Sequence, residues 1–273
     1  MTHDCDHPPS VLSLPRITTS AIQPGSDSAA IDAQVRSGGE RGESTFHLDD
    51  AALREALPDV ILGQTLCEVC AVTLGQLPPM AGRTPVLVPL EGGCIEGILD
   101  DIARIADALD RRRAGDALIE GLRRRMTRVD AEVAGAPRPT VACLEWLAPL
   151  FNAGHWVPEQ VAHAGGQEVL GEAGARSREV AWSDLAASDA DVIVLMPCGF
   201  DAERAVIEAA ALRDRPQWRA LRAVRDGRAY AVDGSAYFSR PGPRVVDGVE
   251  VLAAILHPDR STLPAGARVL PVA

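Results

Sequence analysis

The chain has 273 residues, 47% of them apolar, six cysteines and a formal net charge of −11. That length can bury one large core or two smaller ones, and so acidic a balance argues against wholesale binding to nucleic acid or to an anionic membrane, which needs a basic surface to displace counterions. No apolar run approaches the roughly 18 residues of a membrane span, and the opening MTHDCDHPPSVLSLP has no basic segment leading into an apolar one. The chain as given is therefore expected to be cytoplasmic, and extracytoplasmic if the true N-terminus lies upstream.

Residues 1–25 are rich in Pro, Ser and Thr, with a weak strand over Val11–Thr18. A helix is expected over Ser28–Arg36, and another over His47–Leu57 with Asp49 or Asp50 as N-cap. Strands follow at Asp59–Gly63 and Pro85–Pro89. From Gly97 to Val133 the apolar residues Ile98, Ile102, Ile105, Leu109, Leu118, Leu122, Met126, Val129 and Val133 recur at steps of three or four, with no proline and only Gly115 and Gly121 weakening the pattern. That predicts one continuous helix, roughly 50 Å long at 1.5 Å per residue. After GAPRP come a strand at Thr140–Trp146, an aromatic loop, helices at Glu159–Ala164 and Ser183–Ala187, and a strand at Asp191–Met196. Helices at Ala202–Leu212 and Gln217–Val224, a strand at Arg228–Val232 and a helix at Val245–Leu256 complete the pattern, leaving an irregular tail.

Two segments echo each other. Leu53–Cys67 reads LREALPDVILGQTLC and Leu185–Cys198 reads LAASDADVIVLMPC. In each, a short amphipathic helix leads through an Asp into an unalternated apolar run, the pattern of a parallel strand buried on both faces. Two α/β lobes follow, divided as an N-terminal lobe over 1–96, a linking helix over 97–134, a C-terminal lobe over 135–260 and a tail over 261–273. Open parallel sheets bind ligands beyond the carboxyl ends of their strands, so Cys67 and Cys198 are expected to face a common cleft.

Cys67-Glu-Val-Cys70 can supply two thiolates to one tetrahedral metal or act as a redox dithiol. A quartet of Cys5, Cys67, Cys70 and Cys198 could hold zinc or an iron–sulfur cluster; equally, these are small thiols packed at strand ends. Cys143 lies inside an expected buried strand and reads as core. Of ten aromatic residues, all but Phe46 lie beyond residue 145. Trp146, Phe151 and Trp156 crowd one loop, Phe200 follows Cys198, and Tyr237 and Phe238 sit in another loop. Because all follow expected strands, they predict a wall of flat side chains for a large planar ligand, or else an aromatic-rich core. Glu145 is a candidate acid of that cleft, His155 a candidate axial ligand, proton carrier or plain loop residue, and Arg240 and Arg244 flank two prolines in a stiff loop suited to an anion. The nucleotide-binding, nucleophile-elbow and zinc-protease motifs are missing, which argues against nucleotide-dependent or hydrolase chemistry without excluding catalysis.

Together HDCDHPP, LCEVCAV, EWLAPLFNAGHWVPE, MPCGF and VDGSAYFSRPGPRVVDG resemble the BtuF-like, cobalamin-binding branch of the class III (Fe/B12-type) solute-binding proteins, in a subgroup without a signal peptide. The resemblance spans about residues 1–258. It implies an α/β fold of two Rossmann-like lobes joined by one long backbone helix, binding without chemical conversion, and an ABC-transporter permease as partner. Against that pattern the chain begins at the segment HDCD, so its first lobe is expected to lack one βα unit. It also carries a CxxC that corrinoid binding does not need. The resulting expectation is a protein that holds cobalamin, or a related corrinoid or metal chelate, between two lobes, with Glu145, Trp146, His155, Trp156, Phe200, Tyr237, Phe238 and Arg240 at the ligand. The alternative is a cytoplasmic zinc or iron–sulfur protein built on the four cysteines.

Overall fold

The computed structural model describes residues 1–65, 72–79 and 84–272. The chain divides into two compact units, one of Met1–Glu91 with Asp101–Gly115 and the other of Gly92–Asp100 with Asp116–Ala273.

In the first unit a short 3-10 helix at Pro9–Ser13 stands where the weak strand is predicted. Strand β1 (Thr18–Ser20) then pairs antiparallel with β2 (Phe46–Leu48) across the intervening helix α1 (Ser28–Glu40). Helix α2 (Asp50–Ala56) starts at Asp49, whose carboxylate accepts the Ala52 N–H at 2.9 Å, an ordinary N-cap bond. Strands β3 (Val60–Gln64) and β4 (Val86–Leu90) lie parallel in a separate two-stranded sheet. Leu53 of α2 and Val88 of β4 are buried.

The expected single helix is two: α3 (Ile95–Ala108) and α4 (Arg112–Val133). The break is local and complete. Asp110 takes a left-handed conformation, φ 53°, and the Arg111 N–H reaches back to the Ala106 carbonyl at 2.7 Å while the Asp110 N–H reaches Asp107 at 3.1 Å. This six-to-one and five-to-two pair closes a helix end, and aspartate is one of the few residues besides glycine that tolerates the required φ. Gly115 lets the first turn of α4 fold onto α3, since a Cβ there would lie 2.4 Å from the Ala106 Cβ. At Gly121, further along α4, the nearest atom is the tip of Arg124 at 3.9 Å. Gly115→Ala should therefore destabilise by about 2 kcal/mol through overpacking, whereas Gly121→Ala should stabilise by up to about 1 kcal/mol through helix propensity. Thermal unfolding of the two variants checks the pair, and equal shifts in one direction would contradict it.

The second unit is built on β5 (Thr140–Leu147), β6 (Leu150–Asn152), β7 (Gln167–Glu168), β8 (Val192–Leu195), β9 (Ala229–Val232) and β10 (Val269–Pro271). The sheet runs β10-β9-β8-β5-β6, with β7 beside the start of β5. Strands β5, β7, β8 and β9 are parallel, and β6 and β10 are antiparallel to their neighbours. The central strands are apolar without alternation because both faces are covered. One face packs Ala142, Leu144, Ile193, Leu195, Ala229 and Ala231 with Leu185 of α6 (Trp182–Ala187), Ala205, Ala209 and Leu212 of α7 (Ala202–Arg213), and Trp218 of α8 (Pro216–Ala220). The helix expected over Gln217–Val224 is split into α8 and α9 (Arg222–Arg225) by the extended residue Leu221.

On the other side of the sheet, α5 (Val157–His163) packs on α11 (Val245–Leu256), with the short α10 (Gly234–Tyr237) beside α11. Arg125 of α4 ties this side together, donating to Glu250 at 2.6 Å and to Asp247 of α11. Those two carboxylates hold the guanidinium pKa above its usual value, Glu250 chiefly. The tail expected to be irregular contains β10, and Val272 just beyond it is fully buried. Among the described residues no helix is long and apolar enough to cross a membrane.

A candidate ligand site at the strand ends of the second unit

The carboxyl ends of β5, β8 and β9 each run straight into one of the predicted site segments. Beyond β8, the Cys198 N–H donates to the Glu145 carbonyl at 3.0 Å, so the MPCGF turn continues the ladder beside β5. Beyond β9, Asp233 caps α10 by accepting the Ala236 N–H at 2.6 Å, and the Ser235 N–H donates to the Phe200 carbonyl at 3.1 Å. These backbone bonds bring three segments that are distant in sequence to one edge of the sheet.

Trp146 and Phe200 meet there with ring centroids 5.5 Å apart, tilted by 43°. Both are half-buried, and the Trp146 indole N–H donates to the Ala148 carbonyl at 3.2 Å. The Arg204 guanidinium covers the Phe200 ring at 5.0 Å while pairing with Glu208, and the Arg244 guanidinium stands 6.0 Å from the Tyr237 ring centre. Both distances are within cation–π range. Burial, reinforced by Asp233 and Asp247, keeps the Tyr237 phenol protonated well above neutral pH. Arg240 is half-buried in the loop that follows.

His155 sits in a tight turn between β6 and α5 with φ 52°, an uncommon conformation for a residue with a Cβ. Two bonds to the crossing segment hold it: its N–H donates to Ala175 at 2.6 Å and its carbonyl accepts from Gly174 at 2.9 Å. The preceding Gly154 is required by that crossing, because a Cβ would lie 2.5 Å from the Ser177 nitrogen. Glu145 accepts the Gly154 N–H at 3.4 Å. Burial, with Arg176 adding to it, lowers the pKa of the imidazole, and Nδ1 is buried without a hydrogen-bond partner among the described residues.

Two of the predicted positions are buried. Trp156 and Phe238 are each only 4% exposed, and their rings belong to the interior. Trp156 stacks behind His155 at 5.9 Å, and Phe238 lies edge-on to Tyr237 at 6.3 Å. Trp146, Phe200 and Tyr237, by contrast, are half-buried. Of the cysteine quartet, Cys67 and Cys70 lie outside the described residues. Cys5 belongs to the first unit and contacts the Thr2 hydroxyl at 3.0 Å, while Cys198 is an exposed thiol of the second. Among the described residues no three His, Cys, Asp or Glu side chains gather as a metal site.

Cys143 is fully buried, as its strand position predicts, and its thiol pKa is pushed up by burial and by Glu168. Glu168 itself was not legible as a special residue. Its carboxylate accepts the N–H groups of Leu170, Gly171 and Cys143 at 2.9, 3.1 and 3.2 Å, yet burial outweighs them and raises its pKa to about 7. A separate cavity of about 230 Å³ between α4, α11 and Arg260–Pro264 is lined by charges that satisfy one another. Arg128 pairs with Glu250, and Ser261 donates to Glu132.

The model of the family described as periplasmic binding protein matches residues 53–236, about two-thirds of the sequence. The chain belongs to that family. The fold of the chain is also that of solved structures. An ABC transporter substrate-binding protein from Listeria monocytogenes EGD-e matches with TM-score 0.66 at 19% identity, over 77% of this chain and 81% of that one. A periplasmic heme binding protein from Pseudomonas aeruginosa matches with TM-score 0.63 at 21% identity, over 82% and 81%. The periplasmic vitamin B12 binding protein BtuF of Vibrio cholerae matches with TM-score 0.56 at 17% identity, over 77% and 78%. At these identities the likeness is one of fold. No curated protein sequence matches this chain.

Proposed function

We propose that this chain captures a planar metal chelate, with cobalamin or a related corrinoid as the leading ligand, and presents it to an ABC-transporter permease. The observation that carries the reading is the Trp146–Phe200 pair at the ends of two parallel strands, flanked by Tyr237 beyond the third. Half-buried aromatic rings at the carboxyl edge of an open parallel sheet suit a flat, partly apolar ligand. Arg240 and Arg244 place guanidinium groups in the loop beyond α10 of an acidic chain, which suits acidic or amide groups on the rim of such a ligand. The neutral imidazole of His155 can face a metal or a hydrogen-bonding group. Solved relatives described as binding heme and vitamin B12 share the fold, which supports the ligand class without choosing within it.

The test is retention of a chelate. The protein is mixed in turn with hydroxocobalamin and hemin and desalted, and its cobalt, iron and absorption spectrum are then measured. Stoichiometric retention of one of them is expected, with Trp146→Ala and Phe200→Ala each weakening it by about tenfold, as loss of a buried aromatic contact does. Retention of neither chelate, together with zinc or iron already present after purification, would sink this reading in favour of a site using Cys67 and Cys70.

A further inference from the structure

We infer that Gln160 is the positioning residue of the candidate site, an amide that holds the Tyr237–Val245 loop in place without touching a ligand. Gln160 lies one turn into α5 and is fully buried. Its two amide hydrogens go to two different carbonyls, Tyr237 at 3.1 Å and Val245 at 2.7 Å. One side chain therefore fastens both ends of the loop that carries Arg240 and Arg244 and that starts at the half-buried Tyr237. The first of these acceptors is the last carbonyl of α10, a group that has no partner within its own helix.

Room for the clamp is reserved on the facing helix. A Cβ on Gly248 of α11 would lie 2.3 Å from the Gln160 Nε2 and 2.8 Å from the Tyr237 carbonyl oxygen. The arrangement also has a cost, since Gln160 Oε1 is buried and no donor reaches it among the described residues. A methionine of similar volume would remove the stranded Oε1 but leave the Tyr237 carbonyl without the donor it has from Gln160. What glutamine contributes in its place is a forked donor that reaches two carbonyls at once. Because Gln160 donates its own N–H to Trp156 at 3.0 Å in the first turn of α5, the same short helix that leaves the His155 turn also sets the Tyr237 loop. The two flanks of the strand-end face are thereby held in one register.

This inference rests on the strand-end face being the ligand site, and the experiment separates the two. Trypsin can cut after Arg244 but not after Arg240, which precedes a proline, so cleavage at Arg244–Val245 reports opening of this one loop whatever the ligand is. Native-state trypsinolysis of Gln160→Met should cut that bond at least about fivefold faster than wild type, as local opening becomes easier, with the thermal midpoint of the whole protein nearly unchanged. Whichever of hydroxocobalamin and hemin the wild type retains should bind the variant about tenfold more weakly, the scale of a lost preorganised loop. Gly248→Ala, which crowds the same clamp from the other side, should reproduce both effects and covers the case in which Gln160→Met does not fold. Unchanged cleavage at Arg244 in both variants would overturn the clamp. Faster cleavage with unchanged chelate affinity would overturn its role in positioning. A wild type that retains neither chelate, but still shows faster cleavage in the variants, would overturn the chelate reading and leave the clamp standing.

Discussion

Gly234→Ala should destabilise the second unit by about 3 kcal/mol and dismantle the strand-end face. The alanine Cβ would lie 2.3 Å from the Pro197 carbonyl oxygen and 2.5 Å from that of Met196. Both are backbone atoms at the end of β8, the strand most deeply enclosed in the sheet, so neither can yield as the tip of a side chain could. The relief has to come from α10, which must lift away from β8. Lifting it breaks the Ser235 to Phe200 bond and moves Tyr237, the last residue of α10. All four tryptophans, Trp146, Trp156, Trp182 and Trp218, lie in the second unit. Urea unfolding followed by tryptophan fluorescence therefore reads this unit selectively. A midpoint within error of wild type would show that the close approach of α10 to β8 is not rigid.

The second large effect is on pH dependence. Glu168 binds its proton more tightly in the folded protein than in the unfolded chain, because burial raises its pKa from 4.5 to about 7. A carboxyl raised in this way contributes stability below pH 4.5, and that contribution is lost as the pH climbs through 7. At roughly 1.4 kcal/mol per pKa unit the loss amounts to at most about 3 kcal/mol between pH 4.5 and 7.5. His155 works in the opposite direction. Its lowered pKa means that the unfolded chain takes up a proton first as the pH falls, so stability drops below about pH 6.5. Asp191, held low mainly by the Thr140 backbone N–H, also removes stability only in acid.

The wild-type profile sums these terms, and Glu168→Gln isolates one of them. The difference in unfolding free energy between variant and wild type should shift in favour of the variant by about 3 kcal/mol from pH 5 to pH 8. At acid pH the variant should be the less stable of the two, since its amide would present a donor to the Cys143 N–H. A difference that stays constant across that range would show that Glu168 is already ionised at pH 5.

The central strands were legible in the residues because burial on both faces leaves no polar alternation to confuse. VACL and VIVL read as parallel strands and are β5 and β8, and the helix over Val245–Leu256 stands as predicted. What escaped was decided by tertiary geometry. Strands β6 and β10 are three residues each, too short to show a period. The helix break at Asp110 uses a left-handed aspartate where the pattern offers no glycine or proline. Trp156 and Phe238 sit in sequence among prolines and glycines that suggest a surface, yet the crossing of residues 174–177 over His155 and the packing of Phe238 against Tyr237 put both inside.

Gln160 did leave a trace. It shares the buried helical face of Val157, Val161 and Ala164, and a glutamine at that spacing is a polar residue on an apolar stripe. The chemistry at the strand ends was legible as a set of residues but not as a surface. Which rings face outward depends on α10 and on the crossing segment, neither of which has a sequence period.

The two outermost strands of the main sheet bear on how the protein behaves at high concentration. A parallel sheet that ended on a long strand would offer a row of unpaired amides to any passing chain, the usual start of edge-to-edge aggregation. Here one border is shared by the two-residue β7 and by β6, which bonds back to residues 178–180 through Asn152 and Val180. The other is β10, which ends on Pro271, a residue with no amide hydrogen to offer a newcomer. These border strands are only two or three residues long, so fibrillar self-association through this sheet has little to grow from.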